Sequence, residues 1–424
     1  MRLKRLRFIC YVKLYTLYDL GAVKTSDLTE FLHYSSFLRY NKQGVFYYTK
    51  LKGLKMNYKV FLPDYDCSIL GIPNSILAHY GAKPHHKTLP VLDEKLCRDY
   101  KNVVLLVLDG MGMEILKAHS PNGFLANNCA LQLSSVYPCT TVSALTTLET
   151  GLTPIEHGWL GWAHYFKEIG KSVELYTNKE SGTEKSVSEL FISWQTIGYK
   201  NLFTQIREAD ASIECCRVSP FGEYQCDTNE GICNHIEALC KKDGRRYIYA
   251  YHFQPDKDIH HTGCYSERTK ANVTLFNLQI EQMAKNLTDT LLIVTADHGL
   301  VDTKLLDIED YPEIWQCLYA PPTREPRSLS FFVKDERKAV FPEIWKKYFK
   351  DSFIFMTGDE AFENTFFGSG RPHKRARDFL GDYVAIATGD TSIWFRNENG
   401  VVPDYKGLHA GLCHDEMVVP LILI

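Results

Sequence analysis

The sequence lacks the cysteine patterns that define several classes of small-domain protein. Its 424 residues contain 13 cysteines, which are scattered, odd in number and without a CxxC pair. Neither a disulfide framework nor a zinc ribbon is indicated. The set Cys226, Cys233, Cys240 and His235 has no familiar zinc-site spacing, so helix burial is favoured there. Reduced, mostly buried cysteines are typical of a reducing compartment, and we expect a cytoplasmic protein.

Strong charge excess and long apolar runs are also missing. The formal net charge is −3, which gives no overall case for nucleic-acid binding. The apolar stretch 8–18 is interrupted by Lys13 and is followed by no small-residue cleavage site. It is too short for a membrane span and is a poor signal peptide. The chain as a whole therefore indicates neither a nucleic-acid nor a membrane partner.

Residues 1–55 differ from the rest, because lysine and arginine recur there with few acids. One interpretation is a segment that contacts anionic lipid or RNA. The favoured interpretation is a poorly ordered basic extension, or translated sequence upstream of a start at Met56. From Met56 the pattern becomes globular, and we expect one domain over 56–424.

Apolar strands that alternate with helical patterns organise this domain. The run VVLLVLDGMG, 103–112, ends in Asp109 and two glycines, and TLLIVTADHG, 290–299, is built in the same way. Such strands predict an α/β fold with a doubly wound, mostly parallel sheet flanked by helices. Residues 300–400 are less regular and are predicted to be a smaller peripheral insertion. Ligands of open α/β sheets bind at the carboxyl ends of the strands.

Five of six candidate metal ligands lie at predicted strand ends or in the loops just after them, and the sixth, His409, lies in the glycine-bounded GLHAG. Each is weak alone, because an aspartate after a strand is commonplace and a lone histidine is more often a surface or core residue. Together, three carboxylates and three imidazoles suit Zn²⁺, Mn²⁺ or Fe better than Mg²⁺ or Ca²⁺. The sequence therefore predicts a pair of metal ions held by this set. Its members are Asp109, Asp256, Asp297, His260, His298 and His409.

A pair of threonines, Thr140 and Thr141, stands at the start of a predicted helix that ends at Gly151. A hydroxyl there meets free backbone N–H groups and the positive end of the helix dipole, a geometry that also receives a phosphate. The plain alternative is an N-cap. Beside six candidate ligands, a role in phosphate chemistry is favoured.

These motifs resemble the alkaline phosphatase superfamily, and within it the type I phosphodiesterase/nucleotide pyrophosphatase family. They follow the order of that family and span most of the chain from about residue 56. The resemblance implies an alkaline-phosphatase-like catalytic domain. The matching stretches are VLDG at 107–110, YPCTTVSALTTLETGLTPIEHG at 137–158, PDKDIHHTG at 255–263, TADHG at 295–299 and GLHAG at 407–411.

The resemblance also assigns roles. The family's nucleophile stands about ten residues before the glycine that closes its helix, which implies Thr141. One divalent ion is implied at Asp109, Asp297, His298 and the Thr141 oxygen, and a second at Asp256, His260 and His409. The adjacent His261 is the alternative ligand at this position, but the spacing to Gly263 favours His260. Zn²⁺ is the favoured metal, with Mn²⁺ as the alternative.

The implied activity is hydrolysis of phosphodiester or nucleotide pyrophosphate bonds through a covalent phospho-threonine intermediate. The expected partner is a small phosphorylated substrate such as a nucleotide. A phosphomonoesterase or phosphonate hydrolase on the same core is the alternative. A catalytically silent binding or regulatory member is the non-enzyme alternative, against which the seven retained positions argue. The sequence does not give the oligomeric state.

One departure from the family concerns the substrate. Its nucleotide pyrophosphatases carry an asparagine shortly after the HG of this region, which helps to hold a substrate oxygen. Here the chain reads HGWLGWAHYF, without asparagine. Trp159, Trp162 and Tyr165 offer aromatic faces that suit a planar leaving group, and packing under a loop is the alternative.

Overall fold

The computed structural model describes residues 38–40, 46–48 and 60–424. Strands β1 (Leu38–Tyr40) and β2 (Phe46–Tyr48) pair antiparallel as a two-stranded sheet. The remainder of the predicted basic extension, residues 1–55, lies outside the described residues, so its role stays a prediction. From residue 60 onward the chain belongs to one compact unit.

A seven-stranded sheet is the largest element of this unit. Its strands are β3 (Asn102–Leu108), β4 (Cys129–Ser134), β7 (Glu214–Ser219), β8 (Tyr224–Gln225), β9 (Arg246–His252), β10 (Thr290–Thr295) and β19 (Val418–Leu423). Their order is β4-β19-β10-β3-β9-β7-β8. The strands from β10 to β8 are parallel, and β19 is antiparallel to both neighbours. This mainly parallel sheet confirms the predicted α/β class.

The central strands form where the sequence is continuously apolar. All seven residues of β3 are buried, and so are all seven of β9. A parallel strand that is covered on both faces needs such a run, because neither face meets water. In the register of the sheet, Val107 of β3 lies between Thr295 of β10 and Tyr251 of β9. The carboxyl ends of these three strands therefore meet at one edge.

Helices occupy the connections between the strands. The helix Asn229–Lys241 packs on β9 and on the helix Glu267–Asn286, and the helix Gly71–His79 packs on the helix Thr141–Thr150. The helices are α1 (Gly71–His79), α2 (Pro90–Leu96), α3 (Met113–His119), α4 (Phe124–Asn127), α5 (Thr141–Thr150), α6 (Pro154–His157), α7 (Ile192–Ile197), α8 (Leu202–Ala209), α9 (Asn229–Lys241), α10 (Asp256–Thr262), α11 (Glu267–Asn286), α12 (Pro312–Trp315), α13 (Phe341–Phe349), α14 (Gly358–Glu363), α15 (Ala376–Phe379) and α16 (His414–Met417). Single 3₁₀ turns lie at Ile308–Asp310, Asp335–Arg337 and Thr365–Phe367.

A second, six-stranded antiparallel sheet combines two parts of the chain. Its strands are β5 (Ala163–Phe166), β6 (Lys171–Glu174), β13 (Leu318–Glu325), β14 (Ser328–Val333), β15 (Phe353–Thr357) and β16 (Tyr383–Ala387), in the order β15-β16-β14-β13-β5-β6. The predicted insertion at 300–400 thus shares a sheet with residues 163–174. Two small sheets pair β11 (Val301–Asp302) with β18 (Gly407–Leu408) and β12 (Lys304–Asp307) with β17 (Thr391–Trp394).

Within the described residues, no helix has the length and apolar character that a membrane span requires. The cysteines between residues 60 and 424 are free thiols.

Candidate metal centre

The predicted metal ligands lie at the edge of the large sheet where β3, β9 and β10 end. Asp109 directly follows β3, Asp256 begins α10 just after β9, and Asp297 follows β10. The backbone N–H of Asp109 donates to the carbonyl of His252 at 2.9 Å, and that of Asp256 donates to the carbonyl of Asp109 at 3.1 Å. His409 reaches the same place from the loop after β18.

The close approach of two of these loops depends on Gly110. Its φ is +72°, a left-handed conformation that residues with a Cβ rarely adopt. A Cβ atom on Gly110 would lie 2.8 Å from the Cβ of Asp256 and 2.6 Å from Leu300 Cδ1. The glycine after Asp109 is therefore required for the carboxylates of Asp109 and Asp256 to face one site.

In Asp109 and Asp297, one carboxylate oxygen is held by the protein and the other is free. Tyr251 Oη donates to Asp109 Oδ2. Asp297 Oδ1 accepts hydrogen bonds from the backbone N–H of Gly110 at 3.1 Å and of His298 at 3.0 Å. Asp109 Oδ1 and Asp297 Oδ2 are buried, and neither has a hydrogen-bond partner within the described chain. Buried carboxylate oxygens without donors are costly unless a cation compensates them.

Asp256 repeats this arrangement. Its Oδ2 lies 3.1 Å from His260 Nε2, and its buried Oδ1 has no hydrogen-bond partner among residues 60–424. His409 Nε2 is 3.7 Å from the same Oδ1. Three free carboxylate oxygens therefore face the centre, and this donor set fits divalent metal ions.

Backbone carbonyls orient two of the three imidazoles. The Nδ1–H of His260 donates to the carbonyl of Gly407 at 2.8 Å, and that of His298 donates to the carbonyl of Gly299 at 3.1 Å. In both rings Nε2 is the nitrogen that faces the centre, as in metal sites generally. The His298 and His409 rings are stacked with centroids 3.9 Å apart. His298 is thereby the shared neighbour of the two halves of the site.

Ligand atoms within 4.8 Å of one another form two sets, Asp109–Asp297–His298 and Asp256–His298–His409. The first set consists of the same three residues that the sequence predicts, together with the Thr141 oxygen, as ligands of one ion. The second contains His298 where the sequence predicts His260, although His260 Nε2 is close to Asp256. The structure thus brings all six residues together, and their division between two ions stays a prediction.

Burial dominates the electrostatics of Asp109 and Asp297, whereas in Asp256 burial is outweighed by the attraction of His260, which lowers the pKa. Burial, followed by the charges of Asp297 and Asp256, raises the pKa of Asp109 well above its usual range. Burial also raises the pKa of Asp297. Burial opposes the charging of His260, but the attraction of Asp256 outweighs it and raises the pKa of His260 to about 9. Without a cation, these carboxylates compete for protons, and positive charge in their midst removes that competition.

The two threonines have different surroundings. Thr141 is the first residue of α5, and its Oγ1 lies 3.2 Å from His298 Nε2. Thr140 occupies the N-cap position, but its hydroxyl donates to Glu325 Oε1 at 2.6 Å instead of capping the helix. The helix ends at Gly151, whose φ is +75°, as the sequence predicts. Only Thr141 therefore contacts the candidate ligands.

The predicted substrate aromatics separate into core and surface. Trp159 is fully buried, donates from Nε1 to the carbonyl of Ile197 at 2.6 Å and packs against Trp194. The prediction that Trp159 stacks on a substrate is wrong, because no face of its ring is accessible. Trp162 is half-buried and stays a candidate for substrate contact. Tyr165 packs against Phe332 of the second sheet, with ring centroids 4.7 Å apart.

Other candidates named by the sequence lie elsewhere. His261 is exposed and belongs to neither ligand set. Cys233 and Cys240 are buried along α9, and no potential metal-ligand set in the described chain includes them. Two relevant residues were not predicted. Tyr251 lies within a β-rich stretch and Glu325 within a stretch that the sequence predicts to be irregular. Neither residue belongs to a recognisable motif.

The fold and the cluster of buried acids and histidines define a metal-dependent hydrolase of the α/β class. The chain belongs to the type I phosphodiesterase/nucleotide pyrophosphatase family, whose sequence model matches residues 103–400. This confirms the resemblance seen in the motifs. Comparison of the sequence with curated proteins gives no match.

Solved structures share the fold at low sequence identity. Murine ectonucleotide pyrophosphatase/phosphodiesterase 5 superposes with a TM-score of 0.55 at 17% identity, covering 75% of this chain and 87% of that chain. The human ectonucleotide pyrophosphatase/phosphodiesterase 5 superposes with a TM-score of 0.55 at 15% sequence identity, covering 76% of this chain and 87% of that chain. Phosphonoacetate hydrolase from Sinorhizobium meliloti, in complex with phosphonoformate, superposes with a TM-score of 0.56 at 14% sequence identity. The match covers 76% of this chain and 89% of that chain.

Proposed function

We propose that the protein hydrolyses phosphodiester or nucleotide pyrophosphate bonds at a two-metal site, with Thr141 as the nucleophile. The observation that carries this proposal is the position of Thr141. Its Oγ1 lies 3.2 Å from His298 Nε2, which is 3.3 Å from Asp109 Oδ1 and 3.4 Å from Asp297 Oδ2, and these two oxygens have no hydrogen-bond partner within residues 60–424. A hydroxyl so placed, at the start of a helix, is suited to attack a phosphoryl group.

The residues that would hold the metals follow from the donor set. Asp109, Asp297, His298 and Thr141 would hold one ion, and Asp256, His260 and His409 the other. Mixed oxygen and imidazole ligands favour Zn²⁺, with Mn²⁺ as the second candidate. Such ions, when bound, supply Lewis-acid stabilisation of the charge that develops on the reacting oxygens.

The protein itself positions the reactants. The free N–H groups in the first turn of α5 and the positive end of its dipole favour a phosphoryl group above Thr141. The hydroxyl proton of Thr141 passes to solvent as Oγ1 bonds to phosphorus, and the leaving-group oxygen departs with the electron pair of its bond to phosphorus. Water then cleaves the covalent phospho-threonine and restores the hydroxyl.

The family supports a diester or pyrophosphate as the first choice of substrate. An inactive threonine-to-alanine variant of the murine enzyme binds AMP, which fits a nucleotide. The bacterial neighbour binds phosphonoacetate and phosphonoformate, so a phosphonate hydrolase is the second candidate. A phosphomonoesterase on the same core is a further alternative.

Hydrolysis of a p-nitrophenyl nucleotide diester, p-nitrophenyl phosphate and phosphonoacetate tests the proposal, with zinc- and manganese-loaded protein in parallel. Faster diester turnover supports the first choice, and faster turnover of another substrate reassigns the substrate class. A protein that binds no metal and turns over none of them would end the enzyme proposal. A cytoplasmic location is also proposed, on the reduced cysteines, and cell fractionation tests it.

A further inference from the structure

A buried carboxyl group, that of Glu325, lies beside the proposed nucleophile and has no role yet. Glu325 ends β13 and is 5% exposed. Its Oε1 accepts two hydrogen bonds, from Thr140 Oγ1 at 2.6 Å and from the backbone N–H of Trp162 at 2.7 Å. Within the described residues, Oε2 accepts no hydrogen bond and Glu325 forms no ion pair.

The two donors place this carboxyl group beside Thr140, the residue that precedes the proposed nucleophile. Thr140 immediately precedes Thr141 and is the N-cap residue of α5, so Glu325 lies at the end of the helix that would receive the phosphoryl group. Trp162 belongs to the stretch HGWLGWAHYF, in which no asparagine is available to hold a substrate oxygen. Glu325 is thus hydrogen-bonded to the stretch in which that amide is missing.

The charge state of Glu325 decides what it can do there. An ionised carboxylate would repel the negative oxygens of a phosphoryl group at close range. In a neutral carboxyl group the carbonyl oxygen is the better acceptor, and here Oε1 already takes both donors. The proton then belongs on Oε2, which is the oxygen left free to donate.

We propose that Glu325 is a substrate-binding residue whose neutral carboxyl group donates a hydrogen bond from Oε2 to a non-bridging phosphoryl oxygen. The proton stays on Glu325 throughout, so the group stabilises charge and transfers nothing. This inference rests on the proposed function, since it requires a phosphoryl group at Thr141.

The surroundings of Glu325 favour the neutral form. Burial raises the pKa of Glu325 to about 7, against the opposing hydrogen bonds from Thr140 and Trp162 and the charges of His260 and Arg324. The Arg324 guanidinium donates to the carbonyl of Leu329 at 2.9 Å and makes no ion pair with Glu325. Tyr405, which also faces Glu325, is a neutral phenol whose pKa is raised by burial.

The test compares Glu325→Gln with the wild type in metal-loaded protein. Glutamine keeps the Oε1 acceptor and replaces the Oε2 hydroxyl by an amide donor that does not ionise. Inhibition by inorganic phosphate is measured from about pH 6 to about pH 9. The wild type is expected to lose at least about tenfold more phosphate affinity than Glu325→Gln over this range. The exposed Glu313→Gln variant is the matched control and should follow the wild type.

Two results would overturn the inference. Parallel profiles for the wild type and Glu325→Gln would mean that Glu325 only positions Thr140 and Trp162. Weaker phosphate binding by Glu325→Gln at every pH would mean that the carboxylate is the working form. If the variant does not fold, calorimetry of phosphate binding to the wild type in two buffers near pH 8 decides. Proton uptake supports the inference, and its absence overturns it.

The design separates this inference from the proposed function. A wild-type protein that binds metal and turns over substrate, but has the same pH profile as Glu325→Gln, overturns only the role of Glu325. A wild-type protein that binds no metal and hydrolyses none of the three substrates overturns the proposed function itself.

Discussion

The Nε2 atom of His298 lies 3.2 Å from the Oγ1 atom of Thr141, although 157 residues separate them. His298 reaches this position because β10 ends just before it, and Thr141 does so because α5 begins there. The carbonyl of Gly299 fixes the orientation of the imidazole. This contact joins the candidate nucleophile to the candidate ligands.

Removal of the Thr141 hydroxyl is expected to abolish turnover. Thr141→Ala should lower kcat by at least about a thousandfold, because no other hydroxyl occupies its position, while Asp109, Asp297 and His298 still hold the ion that Thr141 shares. Thr140→Ser, which keeps the hydroxyl bonded to Glu325, is the control and should stay active. Steady-state kinetics with metal analysis makes the comparison. An active Thr141→Ala protein would contradict the assignment.

Metal removal is expected to destabilise the protein as well as inactivate it. The buried oxygens Asp109 Oδ1, Asp256 Oδ1 and Asp297 Oδ2 then keep no hydrogen-bond partner within residues 60–424. At free Zn²⁺ about a hundredfold above Kd, the bound state gains about 2.7 kcal/mol per site. Thermal unfolding with chelator and after zinc reloading measures the shift. Asp297→Asn should show little response to zinc, and an equal response would argue against its role.

Acidification is expected to destabilise the fold through two histidines away from the site. Burial lowers the pKa of His157 to about 3, and burial likewise lowers that of His164 to about 3. Unfolded histidine titrates near 6.5, so between about pH 6.5 and 3 the unfolded chain binds more protons. Each histidine then costs about 1.4 kcal/mol of stability per unit of falling pH.

Urea unfolding at about pH 7 and about pH 5 measures this loss. His164→Gln should flatten the dependence, whereas the exposed His261→Gln should leave it unchanged. Identical slopes for the wild type and His164→Gln would contradict the account.

The buried ion pair between Arg327 and Glu416 supports the loop that carries His409. Glu416 accepts from Arg327 Nε at 2.7 Å and from the backbone N–H of Gly411 at 2.8 Å. Glu416→Ala leaves the Arg327 charge buried and should cost about 3–5 kcal/mol. The loss of the Gly411 contact should also weaken metal binding. Denaturant unfolding and zinc titration measure both effects, and a stable variant with normal zinc affinity would refute this role.

The two tryptophans after α6 are expected to behave differently. Trp159→Ala removes a fully buried ring and should cost about 3–5 kcal/mol of stability. Trp162→Ala should cost little stability and raise KM for substrates with an aromatic leaving group. Unfolding and kinetics on both variants test this contrast. An unchanged KM for Trp162→Ala would remove it from the substrate site.

The sequence predicted the parts of the site that follow from strand ends. Asp109 and Asp297 could be placed because a continuous apolar run before each of them predicts a buried parallel strand. Glu325 could not, because its partners Thr140 and Trp162 are more than a hundred residues away and nothing local marks its burial. Trp159 was wrongly assigned to the substrate site, because a tryptophan that follows a glycine has the same local sequence whether its side chain is buried or exposed. The pairing of β5 with β13 is a long-range contact of the same kind.

The central claim is that Thr141 becomes covalently modified. Metal-loaded protein is mixed with a p-nitrophenyl nucleotide diester, quenched in acid during turnover and digested for mass spectrometry. We expect a nucleotidyl group on the Thr141 peptide and none in Thr141→Ala. A burst of p-nitrophenol with Thr141 unmodified, or with the group on another residue, would contradict it.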